Sequence, residues 1–265
     1  MIWHNDWIWH NLDERLKDRT SNFKFGIFPY TFKFMKFDEA SRSTAKNIYD
    51  KYKKIYVALS GGMDSLYVTK VFHECNIPFT AVIVDSESNK QETKYAFDYC
   101  SHNEVKTFVI HKTEKELIKY YVKNIYSKVF SVGVNITGSV LAGNYAKEND
   151  GILVTGDYLI DVNNDTITCS DYDYYKDVLL GKNINFFSYD PAIAYAMTKE
   201  ATVPFHSSKY KLYGFEENRD KIYYHYSKPI KKFILSVSKT IPKERYDFTL
   251  MSRDDFLVEM EKYGV

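Results

Sequence analysis

The chain has 265 residues, a length that suits one sizeable α/β domain with appendages or two small domains. Lysine and arginine together number 36 and aspartate and glutamate 35, which leaves a formal net charge of +1. This balance gives no general electrostatic case for binding nucleic acid or an anionic membrane, although a local basic patch stays open. The sequence contains no apolar run of about 18 residues, so it predicts no membrane-spanning helix.

Three cysteines lie far apart in the chain, at Cys75, Cys100 and Cys169. An odd number at this spacing argues against a disulfide framework and against a Cys-x-x-Cys zinc or redox site. The first residues combine polar side chains with three tryptophans, which is unlike a signal peptide. We therefore expect a cytoplasmic protein in a reducing environment.

The first 37 residues are rich in aromatic side chains. From Tyr30 to Phe34 the aromatic residues alternate with Thr31 and Lys33, which predicts a half-buried strand. Aromatic rings can stack on nucleic-acid bases, but the near-zero net charge favours a hydrophobic face that packs on the main domain or on another subunit. Residues 1–50 are assigned to this N-terminal extension, whose second part is a predicted helix from Asp38 to Lys53.

Apolar runs and helical patterns alternate through the middle of the chain. Strands buried on both faces that alternate with helices predict an α/β fold with a doubly wound, mostly parallel sheet. We assign residues 51–160 to this core and residues 161–265 to a mainly helical region on the substrate side, with an acidic loop over the site after Tyr158. The predicted core strands cover residues 55–59, 79–84, 105–110 and 152–157. The predicted helices between them cover residues 65–76, 91–102, 114–130 and the residues after Gly138.

The stretch Ser60–Ser65 reads Ser-Gly-Gly-Met-Asp-Ser and directly follows the first core strand. Two adjacent glycines let consecutive backbone N–H groups point at one anion. Ser60 and Ser65 add hydroxyl donors, the following helix adds its positive end, and Asp64 can hold Mg²⁺ over bound phosphates. An ordinary strand-turn-helix is the simpler alternative, but six positions in this context favour a phosphate-binding loop.

Two further carboxylates follow core strands. Asp85 ends the second strand, and the predicted fourth strand ends in Gly156 and Asp157. Because ligands of parallel sheets bind at the carboxyl ends of the strands, we expect these acids to lie near the loop. Asp161 comes four residues after Asp157.

The Ser-Gly-Gly-x-Asp-Ser pattern resembles the signature of the PP-loop ATP pyrophosphatases, whose fold is the adenine nucleotide alpha hydrolase type. Within that group, Thr155–Asp157 followed by Asp161 resembles the Thr-Gly-Asp-Gly-x-Asp-Glu segment in the synthetase domain of asparagine synthetases. The likeness extends from about residue 54 to about residue 248. Three more blocks resemble the same domain: Val203–Phe205, Lys232–Leu235, and Ile241 and Pro242 with Arg245.

The resemblance implies an enzyme that uses ATP and Mg²⁺. The loop would grip the β- and γ-phosphates while a substrate oxygen attacks the α-phosphate, which gives an adenylated substrate and pyrophosphate. The implied catalytic residues are Asp64, Asp157 and Lys232, and the implied magnesium ligands are Asp64, Asp157 and Asp161. The implied nucleotide-binding residues are Ser60, Gly61, Gly62, Asp64, Ser65, Val84, Asp85 and Gly156. Because Asp64 is assigned to metal and not to packing, Asp64→Ala is expected to stop pyrophosphate release and leave the fold intact.

The chain also departs from the asparagine-synthetase pattern. It begins Met1-Ile2 and has no N-terminal cysteine nucleophile, so ammonia or an amine would come from solution or from a separate glutaminase. One extra residue separates Asp157 from Asp161, and Val162 replaces the glutamate. Arg245-Tyr246-Asp247 replaces the family's Arg-x-Lys, so the lysine would come from elsewhere. The candidates for it are Lys228, Lys231, Lys232 and Lys243.

Three functions follow from these patterns. The first is a ligase that adenylates a small carboxylate and lets ammonia or an amine displace AMP. The second is a PP-loop enzyme that modifies tRNA or a nucleobase, although such enzymes usually carry paired or clustered cysteines. The third is an ATP-binding relative that has lost catalysis. Whether the chain forms a homo-oligomer stays open.

Overall fold

The computed structural model describes residues 2–18, 24–126, 128–129, 136–163, 165–181, 183–202, 205–216 and 247–265. The N-terminal extension folds into a small antiparallel sheet of three strands, with one helix between the second and third strands and a longer helix after the sheet. Its elements are strand β1 (Ile2–His4), strand β2 (Ile8–His10), helix α1 (Leu12–Lys17), strand β3 (Phe25–Ile27) and helix α2 (Phe37–Tyr52).

The core then alternates strands and helices as the sequence predicts. Short apolar runs form the strands. The side chains of β4, β5 and β7 are mostly buried, whereas those of β6, at the edge of the sheet, are exposed or half-buried. Helix α5 begins with a capping box between Thr113 and Glu116, and it continues as a π-helical turn over Val122–Tyr126. The core elements are β4 (Ile55–Ala58), α3 (Met63–Glu74), β5 (Thr80–Asp85), α4 (Lys90–His102), β6 (Thr107–His111), α5 (Glu114–Tyr121), α6 (Ile136–Glu148) and β7 (Ile152–Thr155).

The region after residue 160 contains strands as well as helices. The predicted acidic loop after Tyr158 is wrong, because two strands and a helix occupy it. The elements are β8 (Asp161–Asn163), β9 (Thr166–Ser170), α7 (Asp171–Leu180), β10 (Ile184–Asn185), a 3₁₀ turn (Phe186–Ser188), α8 (Pro191–Glu200), α9 (Phe205–Leu212), β11 (Asp247–Ser252) and α10 (Arg253–Glu261).

The predicted doubly wound parallel sheet is confirmed. Five parallel strands pair in the order β10-β7-β4-β5-β6. The strands β5 and β6 are added on one side of β4, and the later strands β7 and β10 are added on its other side. Side chains of β5 alternate between the two faces: Ala81 and Ile83 pack with Leu66 of α3 and Ala96 of α4, whereas Val82 belongs to the larger core with α5 and α6. A third sheet, which is antiparallel, has the order β11-β9-β8.

The predicted strand from Tyr30 to Phe34 is not formed. This segment instead makes one parallel bridge, between Phe32 and Gly264, and its backbone hydrogen bonds go to the C-terminal residues. The alternation of aromatic residues does not mark one buried face, because Phe32 is buried whereas Tyr30 and Phe34 are exposed. Within the described part of the chain, no helix is long and apolar enough to cross a bilayer.

Trp7 and Trp3 of the small N-terminal sheet test whether this extension belongs to the core. The Trp7 side chain is 0% exposed and its indole Nε1 donates to the Ser188 carbonyl at 3.1 Å, whereas Trp3 is 51% exposed. We expect Trp7→Phe to lower the free energy of unfolding by ~1–3 kcal/mol, because it leaves a cavity and removes the hydrogen bond. Urea unfolding measures the change. Trp3→Phe is the matched control, and equal effects of the two variants would contradict burial of the extension.

Candidate active site

A cavity of about 300 Å³ lies at the carboxyl edge of the central sheet. The loop between β4 and α3, the end of β7, the start of α6 and one side chain of α7 all reach it. This is the edge at which ligands of open parallel sheets bind. Its lining residues include Ser60, Gly62, Asp64, Ser65, Val82, Val84, Glu92, Leu117, Ile136, Thr137, Gly138, Ala142, Gly156, Asp157 and Lys176.

The backbone of α4 requires glycine at position 61. Gly61 has φ +98°, and a Cβ there would lie 1.9 Å from the Glu92 carbonyl oxygen. At Gly62, which precedes α3, a Cβ would lie 2.7 Å from Oε1 of Glu92, the end of a side chain that can rotate away. Glycine at position 61 thus lets the loop pass close to the backbone of α4.

The two serine hydroxyls hold the loop in a closed turn. Ser65 Oγ donates to the Gly62 carbonyl at 2.9 Å and accepts from the Ser60 N–H at 3.2 Å. Ser60 Oγ accepts from the Gly62 N–H at 3.2 Å and donates to Oε1 of Glu92 at 3.1 Å. The loop thus has the donors predicted from the sequence, and a carboxylate acceptor already lies beside it.

Gly156 brings the end of β7 against the start of α3. A Cβ at Gly156 would lie 2.8 Å from the carbonyl carbon of Asp64 and 2.9 Å from the backbone nitrogen of Ser65. Because these are backbone atoms, they cannot rotate away from an added methyl group. Glycine at this position therefore lets Asp157 and Asp64 line the same cavity.

Asp64 is held by three side chains from the region after residue 157. Lys209 donates to Oδ2 at 2.8 Å, Tyr213 donates to Oδ1 at 2.7 Å, and Tyr158 donates to the same Oδ1. Burial, followed by the charge of Asp64 and the neighbouring Tyr158, raises the pKa of Tyr213 well above its ordinary value. The phenol therefore stays protonated and keeps its role as a donor.

These contacts correct the expectation that Asp64 has no structural role. The Lys209 side chain is only 8% exposed, and it makes an ion pair with Asp64. Alanine at position 64 would leave this buried ammonium without its carboxylate partner, which destabilises a folded protein. Asparagine is a better substitution for testing the chemistry, because it keeps the shape of the side chain and one acceptor oxygen, although it also removes the charge that pairs with Lys209.

Asp157 makes an ion pair with Lys176 of α7. The Lys176 side chain is 5% exposed, and both residues line the cavity. Burial by itself would raise the pKa of Asp157, but the adjacent ammonium outweighs it and lowers that pKa below its ordinary value. The cavity therefore contains an ionised carboxylate and a fixed cation side by side.

The other predicted nucleotide-binding residues differ in their positions. Val84 lines the cavity, as predicted. Asp85 is not among the residues that line it: its carboxylate accepts from Thr93 Oγ1 at 3.0 Å and lies 3.2 Å from Nδ1 of His111. Thr93 belongs to α4, and His111 is paired with Asp85 across the β5–β6 ladder. The side chain of Asp85 therefore faces α4 and β6.

Several predicted residues lie outside the described part of the chain. Lys232 is among them, together with the alternative lysines and the predicted Val203-Pro204 and Arg245 positions. Asp161 is the first residue of β8, and its side chain is not described. The roles assigned to these residues stay predictions.

Two lysines that the sequence did not predict contact the carboxylates of the site: Lys176 pairs with Asp157, and Lys209 pairs with Asp64. One signal for Lys176 was available, because Tyr175, Val178 and Leu179 recur at helical spacing and indicate a helix rather than a loop. Nothing local indicated Lys209, whose partner Asp64 lies 145 residues earlier.

Comparison with known proteins gives only distant structural likenesses. No protein-family model and no curated protein matches the chain. An NMN synthetase from Francisella tularensis aligns over 46% of this chain and 55% of its own, with 18% identity and a TM-score of 0.36. An NH3-dependent NAD synthetase from Campylobacter jejuni aligns over 86% of this chain and 93% of its own, with 12% identity and a TM-score of 0.39.

A phosphoadenylyl-sulfate reductase from Candida auris aligns over 71% of this chain and 84% of its own, with 10% identity and a TM-score of 0.35. The chain spans about half the length of the Francisella protein. Likenesses at this level do not establish a shared activity. The likeness to asparagine synthetases stays a prediction from the sequence.

Gly156→Ala tests the close approach of β7 to α3. We expect it to lower the free energy of unfolding by ~1–3 kcal/mol, since the added methyl group meets backbone atoms that must shift. Gly138→Ala is the matched control, because among the described residues a Cβ there would meet Val84 at 3.9 Å, an ordinary contact. Urea unfolding of both variants measures the difference. A Gly156→Ala protein as stable as the control would show that the two elements are not tightly packed.

Proposed function

We propose that the chain is an ATP-dependent adenylating enzyme that cleaves ATP to AMP and pyrophosphate. The observation that carries the proposal is one cavity that combines the Ser60–Ser65 loop at the start of α3 with two carboxylates and a buried lysine. Phosphoryl chemistry of this kind depends on positioning and charge stabilisation, so it needs no nucleophilic side chain.

The loop would bind the β- and γ-phosphates. Ser60 Oγ, which donates to Glu92, would donate to a phosphate oxygen instead. The backbone N–H groups at the start of α3 add the positive end of a 12-residue helix. Because the Glu92 carboxylate lies beside the loop, phosphate binding requires that this side chain move or that a cation compensate its charge.

The donor set of the cavity suits Mg²⁺. This ion is usually held by one or two carboxylates together with phosphate oxygens and water, and Asp64 and Asp157 line the same cavity. Among the described residues no group of three His, Cys, Asp or Glu side chains could hold a metal by itself, so phosphates would complete the coordination. When bound, Mg²⁺ would neutralise charge on the departing pyrophosphate.

The two lysines have distinct parts in this proposal. Lys209 orients the Asp64 carboxylate, and Lys176 does the same for Asp157. Lys176 also lines the cavity, so its ammonium would stabilise charge that develops around the α-phosphate. It is a described candidate for the cationic role that the sequence gave to Lys232.

The proposed acceptor is a small carboxylate, which ammonia or an amine would then convert to an amide. This part of the proposal is supported by the sequence blocks that resemble asparagine synthetases, several of which lie outside the described residues. A second candidate is an ATP-binding relative without catalysis. It is favoured by the Glu92 carboxylate beside the loop and by the engagement of both Asp64 oxygens with protein donors.

Product analysis separates these functions. The protein is incubated with Mg²⁺ and ATP labelled at the α-phosphate, in the presence of pools of carboxylates with ammonia, of amines or of RNA. We expect AMP and pyrophosphate with the carboxylate pools, and loss of both products in Asp64→Asn. Products with RNA alone would favour a tRNA-modifying enzyme, and ATP binding without products would favour the inactive relative. Release of ADP and phosphate would contradict the proposed mechanism.

Lys176→Met tests whether the ammonium group of Lys176 takes part in the reaction. We expect pyrophosphate release to fall by about 10²-fold or more, because a fixed charge at the reacting phosphates is lost. About a third of the Asp157 side chain is exposed, so water can solvate it and the fold should persist, which circular dichroism checks. Lys199→Met is the control, because that lysine is 57% exposed and pairs with Glu261. Unchanged turnover in Lys176→Met would remove this residue from the mechanism.

A further inference from the structure

One cavity side chain has no hydrogen-bond partner for its hydroxyl within the described part of the chain. Thr137, in the first turn of α6, is 1% exposed and lines the cavity, and its Oγ1 is closed to solvent. A buried hydroxyl of this kind loses its hydration without compensation, so such groups are rare in folded proteins and call for an explanation. A ligand in the cavity would supply the missing hydrogen bond if the Thr137 side chain turned its hydroxyl towards it.

The wall around Thr137 differs from the loop. Five apolar side chains of β5, α5 and α6 line the cavity together with the polar Ser139 of α6, and Gly138 has no side chain to fill the space beside Val84. An apolar surface of this kind suits the faces of a base and a ribose and offers little to a phosphate. The apolar lining residues are Val82, Val84, Leu117, Ile136 and Ala142.

We propose that the Thr137 hydroxyl hydrogen bonds the nucleoside part of the bound nucleotide and thereby contributes to nucleotide selection. The inference rests on the proposed function, because it takes the phosphates to lie on the Ser60–Ser65 loop of the same cavity. A hydroxyl can both donate and accept, so it can pair with a nitrogen or exocyclic group of the base or with a ribose hydroxyl. The start of α6, a 13-residue helix, adds backbone N–H donors at the same wall.

Thr137→Val tests this inference because it removes the hydroxyl and keeps the shape. Calorimetry would measure the binding of Mg-ATP, of AMP and of inorganic tripolyphosphate, which lacks a nucleoside. We expect the affinities for ATP and AMP to fall by about three- to tenfold, and the affinity for tripolyphosphate to stay unchanged. Thr137→Ser, which retains the hydroxyl, should restore most of the affinity.

Thermal unfolding without ligand separates recognition from a structural role. Because the hydroxyl has no described partner in the protein, Thr137→Val should be at least as stable as the wild-type protein. A lower melting temperature combined with equal losses for ATP and tripolyphosphate would overturn the inference. So would an unchanged ATP affinity combined with a raised KM for the acceptor, since Thr137 would then serve the acceptor.

Two further ligands identify the hydrogen-bonded group. If the loss in Thr137→Val disappears with 2′-deoxy-ATP or 3′-deoxy-ATP, the partner is the corresponding sugar hydroxyl, and if it persists with both, the partner is the base. Either result supports nucleoside recognition. Failure of the proposed function has a different signature, because the wild-type protein would then release no AMP and pyrophosphate. Equal ATP affinities of the wild-type and Thr137→Val proteins, with turnover intact, would overturn only the role of Thr137.

Discussion

The close approach of Gly156 to the backbone of Asp64 and Ser65 is the constraint on which the site depends. It fixes the end of β7 against the first turn of α3, so two carboxylates separated by 93 positions in the chain line one cavity. A side chain at position 156 would force these backbones apart. Gly61 acts in the same way on the other side of the loop, where the backbone of α4 approaches. Two residues without side chains thus allow the site to be assembled from separate elements.

Charge is balanced within the site by pairs that cross between elements. Asp64 of α3 pairs with Lys209 of α9, and Asp157 after β7 pairs with Lys176 of α7. Both lysines are almost wholly buried, and each makes an ion pair with one of the two carboxylates. This arrangement keeps acids and cations ready for a polyanionic ligand, and it ties the region after residue 160 to the nucleotide-binding core that we propose.

Stacked aromatic rings connect helix α3 with the N-terminal extension and with the region after residue 157. Tyr213 stacks on Tyr67 of α3 at 4.4 Å between ring centroids, and Tyr158 stacks on Phe187 at 4.8 Å. Phe37, at the start of α2, stacks on Tyr67 at 5.3 Å and joins the N-terminal extension to this cluster. With 24 tyrosines in the chain, the sequence could not single out the two whose hydroxyls reach Asp64. Their selection depends on packing between distant segments.

The sequence by itself determined the features that local chemistry controls. Apolar runs specified β4, β5, β6 and β7, and the Ser-Gly-Gly motif specified the turn into α3, because strand burial and glycine geometry depend on neighbouring residues. The prediction of a strand at Tyr30–Phe34 was wrong, because the backbone pairing of this segment depends on residues at the far C-terminus. The prediction of a loop after Tyr158 was wrong, because the polar composition of that segment did not indicate its two strands and helix. Only the tertiary structure turned Asp85 away from the cavity and brought Lys176, Lys209 and Thr137 to the site, because such contacts depend on how whole elements pack.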